Sequence, residues 1–323
     1  MTQTKALSQT LTKRRFWIAS AFFLIGVTGF AFSAFSQDLT PERQKALETI
    51  IHSYLKAAGP NLKQDGELLV TPNASETYYE ATLPALSAKD SKTGKGVDLG
   101  TPKLNARPLE NGEWKTTLAL PQEITATQNG QSIFTLAVGR QKFDGILVEG
   151  ANAFTVINAT YSNVTLTDLK HDNTTTIGLF TIAQEGEAKN NRITGPVTLG
   201  ADTLTLMANG NSPLALERVT LEGTVQDIDA LMQRFVVRKD GEAPANVSNK
   251  KVKLTIYGLD KAASAVRLTG AVPTPDEQKV LATMAVLQIA GQKQEDGDIR
   301  TYNLEITPDG KFLVNGTDLS SLL

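Results

Sequence analysis

From about residue 66 onward, apolar and polar residues alternate in short runs that end at Gly, Pro, Asn or Asp. Phe134, Leu136 and Val138 share one parity. So do Val164 with Leu166, Leu204 with Leu206, and Val252, Leu254 and Ile256. A period of two is the spacing of a half-buried strand, because successive side chains leave a strand on opposite faces. Helical patterns do not separate these runs, so the expectation is an antiparallel, mainly-β fold and not parallel βαβ winding. Threonine is frequent at the alternate positions, where a β-branched polar residue suits a solvated sheet face.

Two runs have the same shape: Tyr79 to Leu83 stops at Pro84, and Trp114 to Leu120 stops at Pro121. Proline brings no N–H to a ladder and is best tolerated at strand ends. Ser87 to Gly100 reads as a polar loop, Asp144-Gly145 as a bulge or turn within Phe143 to Val148, and Ala230 to Phe235 as a short helix. Val266 and Leu268 continue the alternation beyond Ile256.

Two helices flank the strands. Thr40-Pro41-Glu42 supplies a cap, a proline at the first helical position and an acid facing the positive end of the dipole. Leu47, Ile50, Ile51, Tyr54 and Leu55 then form one apolar stripe, and Gly59-Pro60 ends it. Thr274-Pro275-Asp276-Glu277 is a capping box, followed by inward-facing Val280, Leu281, Met284 and Leu287 and a stop at Gly291. A hairpin closes the chain: Tyr302, Leu304 and Ile306 alternate, Thr307-Pro308-Asp309-Gly310 turns, and Phe312 to Val314 returns. The expected architecture is an extended or curved antiparallel sheet, groove-like or sandwich-like, with an N-terminal helix (37–60) and a late C-terminal helix. The β-rich part covers 61–323, with a sub-boundary near 122–132. Only 6% of residues are aromatic, which speaks against the aromatic girdles of an outer-membrane barrel.

The first 36 residues carry Lys5, Lys13, Arg14 and Arg15 and no acid. An uncharged stretch from Phe16 follows, with small residues at Ala34 and Ser36 where signal peptidase reads them. This predicts a signal peptide at 1–36, cleaved after Ser36, and a periplasmic mature chain. The competing reading is an uncleaved anchor at 16–35, which is long enough to cross a bilayer. The remaining 28 basic side chains face 34 acidic ones, and because phosphate binding depends on clustered Lys/Arg this balance argues against nucleic acid as a partner.

The chain has no cysteine and only His52 and His171. Disulfide scaffolds, thiolate metal sites and multi-histidine sites are thereby excluded, and no metal or cofactor is expected. Ser53-Tyr54-Leu55-Lys56, Lys92-Thr93-Gly94 and Tyr161-Ser162-Asn163 match the three short motifs of penicillin-recognising enzymes, but in the wrong order and with Ser53 late in a helix. Glu295, Asp296 and Asp298 around Gly297 read as a solvated turn rather than a Ca²⁺ loop. Six Asn-x-Ser/Thr triplets, at Asn73, Asn158, Asn163, Asn173, Asn246 and Asn315, carry no information in a chain with a bacterial export signal. No catalytic residue is assigned. Phe134, Phe154, Val156 and Tyr161 are candidates for the lining of an apolar groove, against the alternative of ordinary core.

The export signal, the capped helix, the Gly-punctuated strands, Leu83-Pro84, Leu120-Pro121 and the closing hairpin with Asn315-Gly316 together resemble proteobacterial periplasmic proteins distantly like the AsmA-type envelope proteins. The resemblance implies an extended sheet groove and a part in envelope or lipid homeostasis, and it assigns no functional residue. The functional expectation is a non-enzymatic envelope protein that binds a lipid or another hydrophobic component. The alternatives are a structural or protein-interaction module without a small ligand, and a hydrolase with scattered carboxylates.

Overall fold

The structure, a computed structural model, describes residues 38–57, 62–75, 77–89, 94–151, 153–170, 173–189, 192–208, 214–228, 250–268, 275–307, 309 and 311–319. It is mainly β and antiparallel, with an N-terminal helix and a late C-terminal helix, as the alternation predicts. The described residues fall into two compact units, 38–208 and 214–319. The expected signal peptide, the Gly59-Pro60 stop, the 230–235 helix and the Thr274 cap lie outside the described residues.

In the first unit, helix α1 (Pro41–Ala57) begins where the Thr40 Oγ1 accepts the Arg43 N–H at 3.4 Å. It buries Leu47, Ile50, Ile51 and Leu55. Two contacts seat its first turn on the sheet: the Gln44 amide donates to the Val70 carbonyl (2.9 Å) and the Tyr79 hydroxyl to the Thr40 carbonyl (2.7 Å).

The sheet of this unit is a meander of long strands, several of them broken in the middle. In chain order they are β1 (Leu62–Asp65), β2 (Leu69–Pro72), β3 (Tyr79–Thr82), β4 (Ala85–Lys89), β5 (Lys95–Gly100), β6 (Lys103–Pro108), β7 (Glu113–Ala119), β8 (Glu123–Gln128), β9 (Gln131–Val148), β10 (Ala153–Asp168), β11 (Asn173–Glu185) and β14 (Pro196–Ala208). Strands β12 (Glu187–Lys189) and β13 (Arg192–Thr194) form a small separate hairpin. One half of the meander pairs β2–β3–β6–β7–β9, and the other pairs β1–β4–β5–β8–β9. The register is nearly continuous across each break. Strand β7 meets the C-terminal end of β9 (Trp114 opposite Leu147) and β8 meets its N-terminal end (Ile124 opposite Leu136). Thus β7 and β8 are two halves of one bent strand, as are β5 with β6, β3 with β4 and β1 with β2.

The breaks fall on one line across the sheet. It passes Gly66, Leu83-Pro84, Thr101-Pro102 and Leu120-Pro121, where the Leu83 N–H donates to the Pro102 carbonyl at 3.1 Å. It continues through Gly139, Asn163 (φ 54°), Gly178 and Thr203 (φ 55°). A Cβ on Gly139 would stand 3.0 Å from the Asn163 Cβ, and one on Gly178 would stand 3.1 Å from the Thr203 Cβ. Each glycine therefore makes room for a left-handed residue on the next strand. The line also changes parity. Trp114, Thr116, Ile124 and Ala126 are all even and buried, but their partners on β9 switch from odd (Gly145, Leu147) to even (Phe134, Leu136). One extra residue in β9 near Gly139 reconciles the two, as a β-bulge does, and keeps the buried side chains on one face. Strands β10, β11 and β14 make the same switch: Ile157, Ala159 and Tyr161 against Val164; Ile182 and Phe180 against Ile177; Val197 against Leu204.

At the crease the Gln141 side chain stands in for a missing rung. Its Oε1 accepts the Leu120 N–H (2.9 Å) and its Nε2 donates to the Leu120 carbonyl (2.7 Å), beside a Pro121 that has no N–H to give. Two expectations change here. The described parts of Ser87–Gly100 are strands and not a loop: Ser87, Ala88 and Lys89 pair with Asp98, Val97 and Gly96, and Leu99 is buried. Asp144-Gly145 runs straight through β9, with Gly145 chosen for space: a Cβ there would meet Phe143, Phe154 and Thr116 at 3.0–3.1 Å.

The second unit is a small sheet with helices on one face. Strands β15 (Leu214–Thr224), β16 (Lys250–Tyr257), β18 (Ile299–Ile306), β19 (Phe312–Val314) and β20 (Thr317–Asp318) pair in sequence, and β17 (Gln292–Lys293) pairs with the start of β18. Val252, Ile256, Tyr302, Leu304 and Ile306 are buried, while Lys251, Lys253, Glu222 and Glu305 face outward as ion-paired rungs. Val266 and Leu268 belong to helix α2 (Leu259–Leu268) and not to a strand. The intervening Lys-Ala-Ala-Ser-Ala run favours a helix, and Asp298 caps it by accepting the N–H groups of Asp260 (2.9 Å) and Lys261 (2.8 Å). Helix α3 (Pro275–Ala290) ends at Gly291, where the Tyr302 ring leaves no room for a side chain and its hydroxyl donates to the Leu287 carbonyl (2.8 Å).

Two substitutions test the crease. A left-handed L-residue costs about 1–2 kcal/mol, and a glycine returns about 0.4–1 kcal/mol of that through the unfolded chain. Thr203→Gly is therefore expected to stabilise the protein by about 0.5–1 kcal/mol. Gln141→Met strands both Leu120 groups and is expected to cost about 1–3 kcal/mol. Urea denaturation midpoints read both changes.

Candidate functional site

Two groups of aromatic residues on the apolar face of the first unit lie near α1. Near the start of α1, Tyr79 and Trp114 lie with ring centroids 6.0 Å apart, and the Trp114 Nε1 donates to the Glu149 Oε1 at 2.9 Å. Both rings are fully buried, with their polar atoms satisfied. The second group runs from the sheet onto the far end of α1. Phe143 meets Phe154 edge-on at 5.5 Å, and Phe154 meets Tyr54 edge-on at 6.0 Å.

Tyr54 differs from every other member of the α1 stripe. Its ring is 40% exposed, whereas Leu47, Ile50, Ile51 and Leu55 are buried. Burial nevertheless raises the pKa of its hydroxyl above the ordinary tyrosine value. The place of Tyr54 in the apolar stripe shows in the sequence; its opening to solvent depends on what lies across from it and has no sequence signal.

Of the four residues read as groove lining, Phe154 is in this aromatic chain. Phe134 lies beyond the crease, opposite Ala126. Val156 alternates with the buried Ile157, and so points to the opposite face from it. Tyr161 is 1% exposed and packs against Phe180 at 6.4 Å, and its hydroxyl is enclosed without a hydrogen-bond partner. That enclosure raises the Tyr161 pKa well above the usual value, so the phenol stays neutral.

The other chemically notable cluster holds the second unit together. The Asp260 carboxylate accepts from Arg300 (3.0 and 3.2 Å), Gln288 (2.8 Å) and Lys293 (3.0 Å), and the Arg300 Nη1 donates to the Gln288 carbonyl at 2.5 Å. These bonds tie α2, α3, β17 and β18 together. Burial pushes the Asp260 carboxyl up; the bonds from Gln288, Lys293 and Arg300, with the Arg300 charge, outweigh it and leave the group below its ordinary value. Lys261 pairs with Glu217 at 2.5 Å. Of the acidic turn, Glu295 and Asp296 are exposed and Asp298 is occupied as the α2 cap. Among the described residues no group of three or more His, Asp or Glu is placed to hold a metal ion, and no helix is long and apolar enough to cross a membrane. Ser53 and Lys56 lie late in α1, Tyr161-Ser162-Asn163 lies at the crease, and Lys92-Thr93 lies outside the described residues. Asn73, Asn163 and Asn315 have backbone roles: the Asn73 Oδ1 accepts the N–H groups of Thr77 (2.7 Å) and Tyr78 (3.0 Å), Asn163 turns the bulge, and Asn315 donates to the Ala290 carbonyl at 2.7 Å.

Comparison with protein-family models, curated proteins and solved structures finds no match to this chain.

Tyr161→Phe removes an enclosed donor and leaves the packing intact, so the protein is expected to gain about 1–2 kcal/mol in a urea titration. Arg300→Met leaves Asp260 short of its principal partner and is expected to cost about 2–3 kcal/mol. Because the folded Asp260 carboxyl titrates below its ordinary value of 3.8, its contribution is full above that value and is lost as pH falls through the depressed one. The Tm gap between wild type and Asp260→Asn is therefore expected to be constant near neutral pH and to close on strong acidification.

Proposed function

We propose that the protein is a non-enzymatic, exported envelope protein that holds a lipid or another hydrophobic molecule against the apolar face of its first unit. The observation that carries this reading is Tyr54. An aromatic ring open to water and set edge-on against Phe154, which in turn meets Phe143, is a wall that an apolar ligand can use. The breadth of the face supports it. Eight strand positions, separated by seven spacings of about 4.8 Å, make a sheet about 34 Å wide, and among the described residues α1 is its only helix of more than one turn. Acidic and basic groups in the second unit are engaged with one another, which supports binding over catalysis. Export rests on the basic, then apolar, then small-residue order of residues 1–36.

Native mass spectrometry of the mature protein, purified without detergent from its own periplasm, tests the reading. The expected result is a co-purifying lipid mass that disappears in Tyr54→Arg. A clean protein mass together with a crosslinked envelope partner would favour the interaction-module alternative.

A further inference from the structure

We infer that the chain pairs with a second copy of itself through strand β1, antiparallel and centred on Gln64, so that two sheets join edge to edge. Among the described residues β1 pairs with β4 alone and β2 with β3 alone, so the bent strand they form borders the meander. Its β2 half is closed to a further strand: the Gln44 amide occupies the Val70 carbonyl, and Pro72 has no N–H to offer. The β1 half is left open among the described residues, with Lys63, Gln64 and Asp65 all exposed.

Charged side chains on an edge usually repel an incoming strand. Here their order selects one. Lys63 and Asp65 lie opposite Ser87 and Ala85 and share the outer face, whereas Gln64 lies opposite the buried Leu86, on the apolar side. With Gln64 set against Gln64 of the second copy, antiparallel pairing brings each Lys63 opposite the other copy's Asp65. A slip of two residues would oppose Lys63 to Lys63 or Asp65 to Asp65. A slip of one would turn the two apolar faces to opposite sides. The register centred on Gln64 meets both conditions, and it continues the apolar face of one copy into that of the next. The shared edge is short, so the dimer is weak and forms with rising concentration.

Sedimentation velocity of the mature protein over a concentration series tests this. Wild type is expected to pass from monomer to dimer. Lys63→Glu and Asp65→Lys each set like charges face to face at two places, and each is expected to raise the half-dimerisation concentration by at least about tenfold. The double variant restores opposite charges and is expected to return within about threefold of wild type, which a variant that merely misfolds cannot do. The chain has no cysteine, so Gln64→Cys puts a lone thiol on the axis. Opposed Cα atoms there stand about 4.5–5.5 Å apart, within disulfide reach. Mild oxidation is expected to link Gln64→Cys to its own copy and to leave Thr71→Cys, on the closed half, unlinked. A protein that stays monomeric to about 1 mM overturns the inference. So does a dimer that the single reversals leave unchanged or the double variant does not restore. Linkage of Gln64→Cys in cells to a different protein, in place of its own copy, also overturns it and assigns the edge to a foreign strand.

Discussion

The first unit depends on a single constraint: a sheet of long strands must bend along one line without exposing its apolar face. Every strand of the meander meets this line, and each solves it with the residues it has. Prolines at 84, 102 and 121 sit where the ladder is already interrupted, and Gln141 supplies the rung that Pro121 withholds. Further along, glycines at 139 and 178 let Asn163 and Thr203 take left-handed conformations on the neighbouring strands. Without its extra residue at this line, β9 would present its apolar side chains to opposite faces in its two halves. The crease is thus what lets one continuous hydrophobic face exist in both halves of the sheet.

The alternation of apolar residues made the fold class legible in the sequence, and so did the two helix starts, because capping chemistry is local. The long strands were not legible. Tyr79 to Leu83 and Trp114 to Leu120 read as complete short strands because proline ends a run whether the chain turns back or goes on. Only the register, which needs the neighbouring strand, shows that β7 continues into β8 and β3 into β4. The same limit hid β4 and β5 inside a polar stretch whose strand character comes from pairing. Helix α2 was missed because its cap, Asp298, lies 38 residues away from the first residue whose N–H it holds.

The site divides in the same way. Phe154 and Tyr161 could be singled out as aromatic residues in alternating runs, but sequence alone gives them one status and structure gives them two. Phe154 is a link in an aromatic chain that reaches the helix, and Tyr161 is enclosed, with an unpaired hydroxyl. Tyr54 sat within a stripe of Leu and Ile and read as core. Its opening arises from tertiary placement, since α1 rests its first turns on Tyr79 and Val70 and carries its last turn out over Phe154. The second unit has its own logic, with Asp260, Arg300 and Asp298 fastening two helices to a small sheet.

The proposed hydrophobic binding at Tyr54 is tested in living cells by placing a benzophenone photocrosslinking residue at position 54 and irradiating. The account predicts that the peptide containing position 54 acquires the mass of a lipid. Irradiation that leaves that peptide unmodified, or joins it only to another protein, would contradict it.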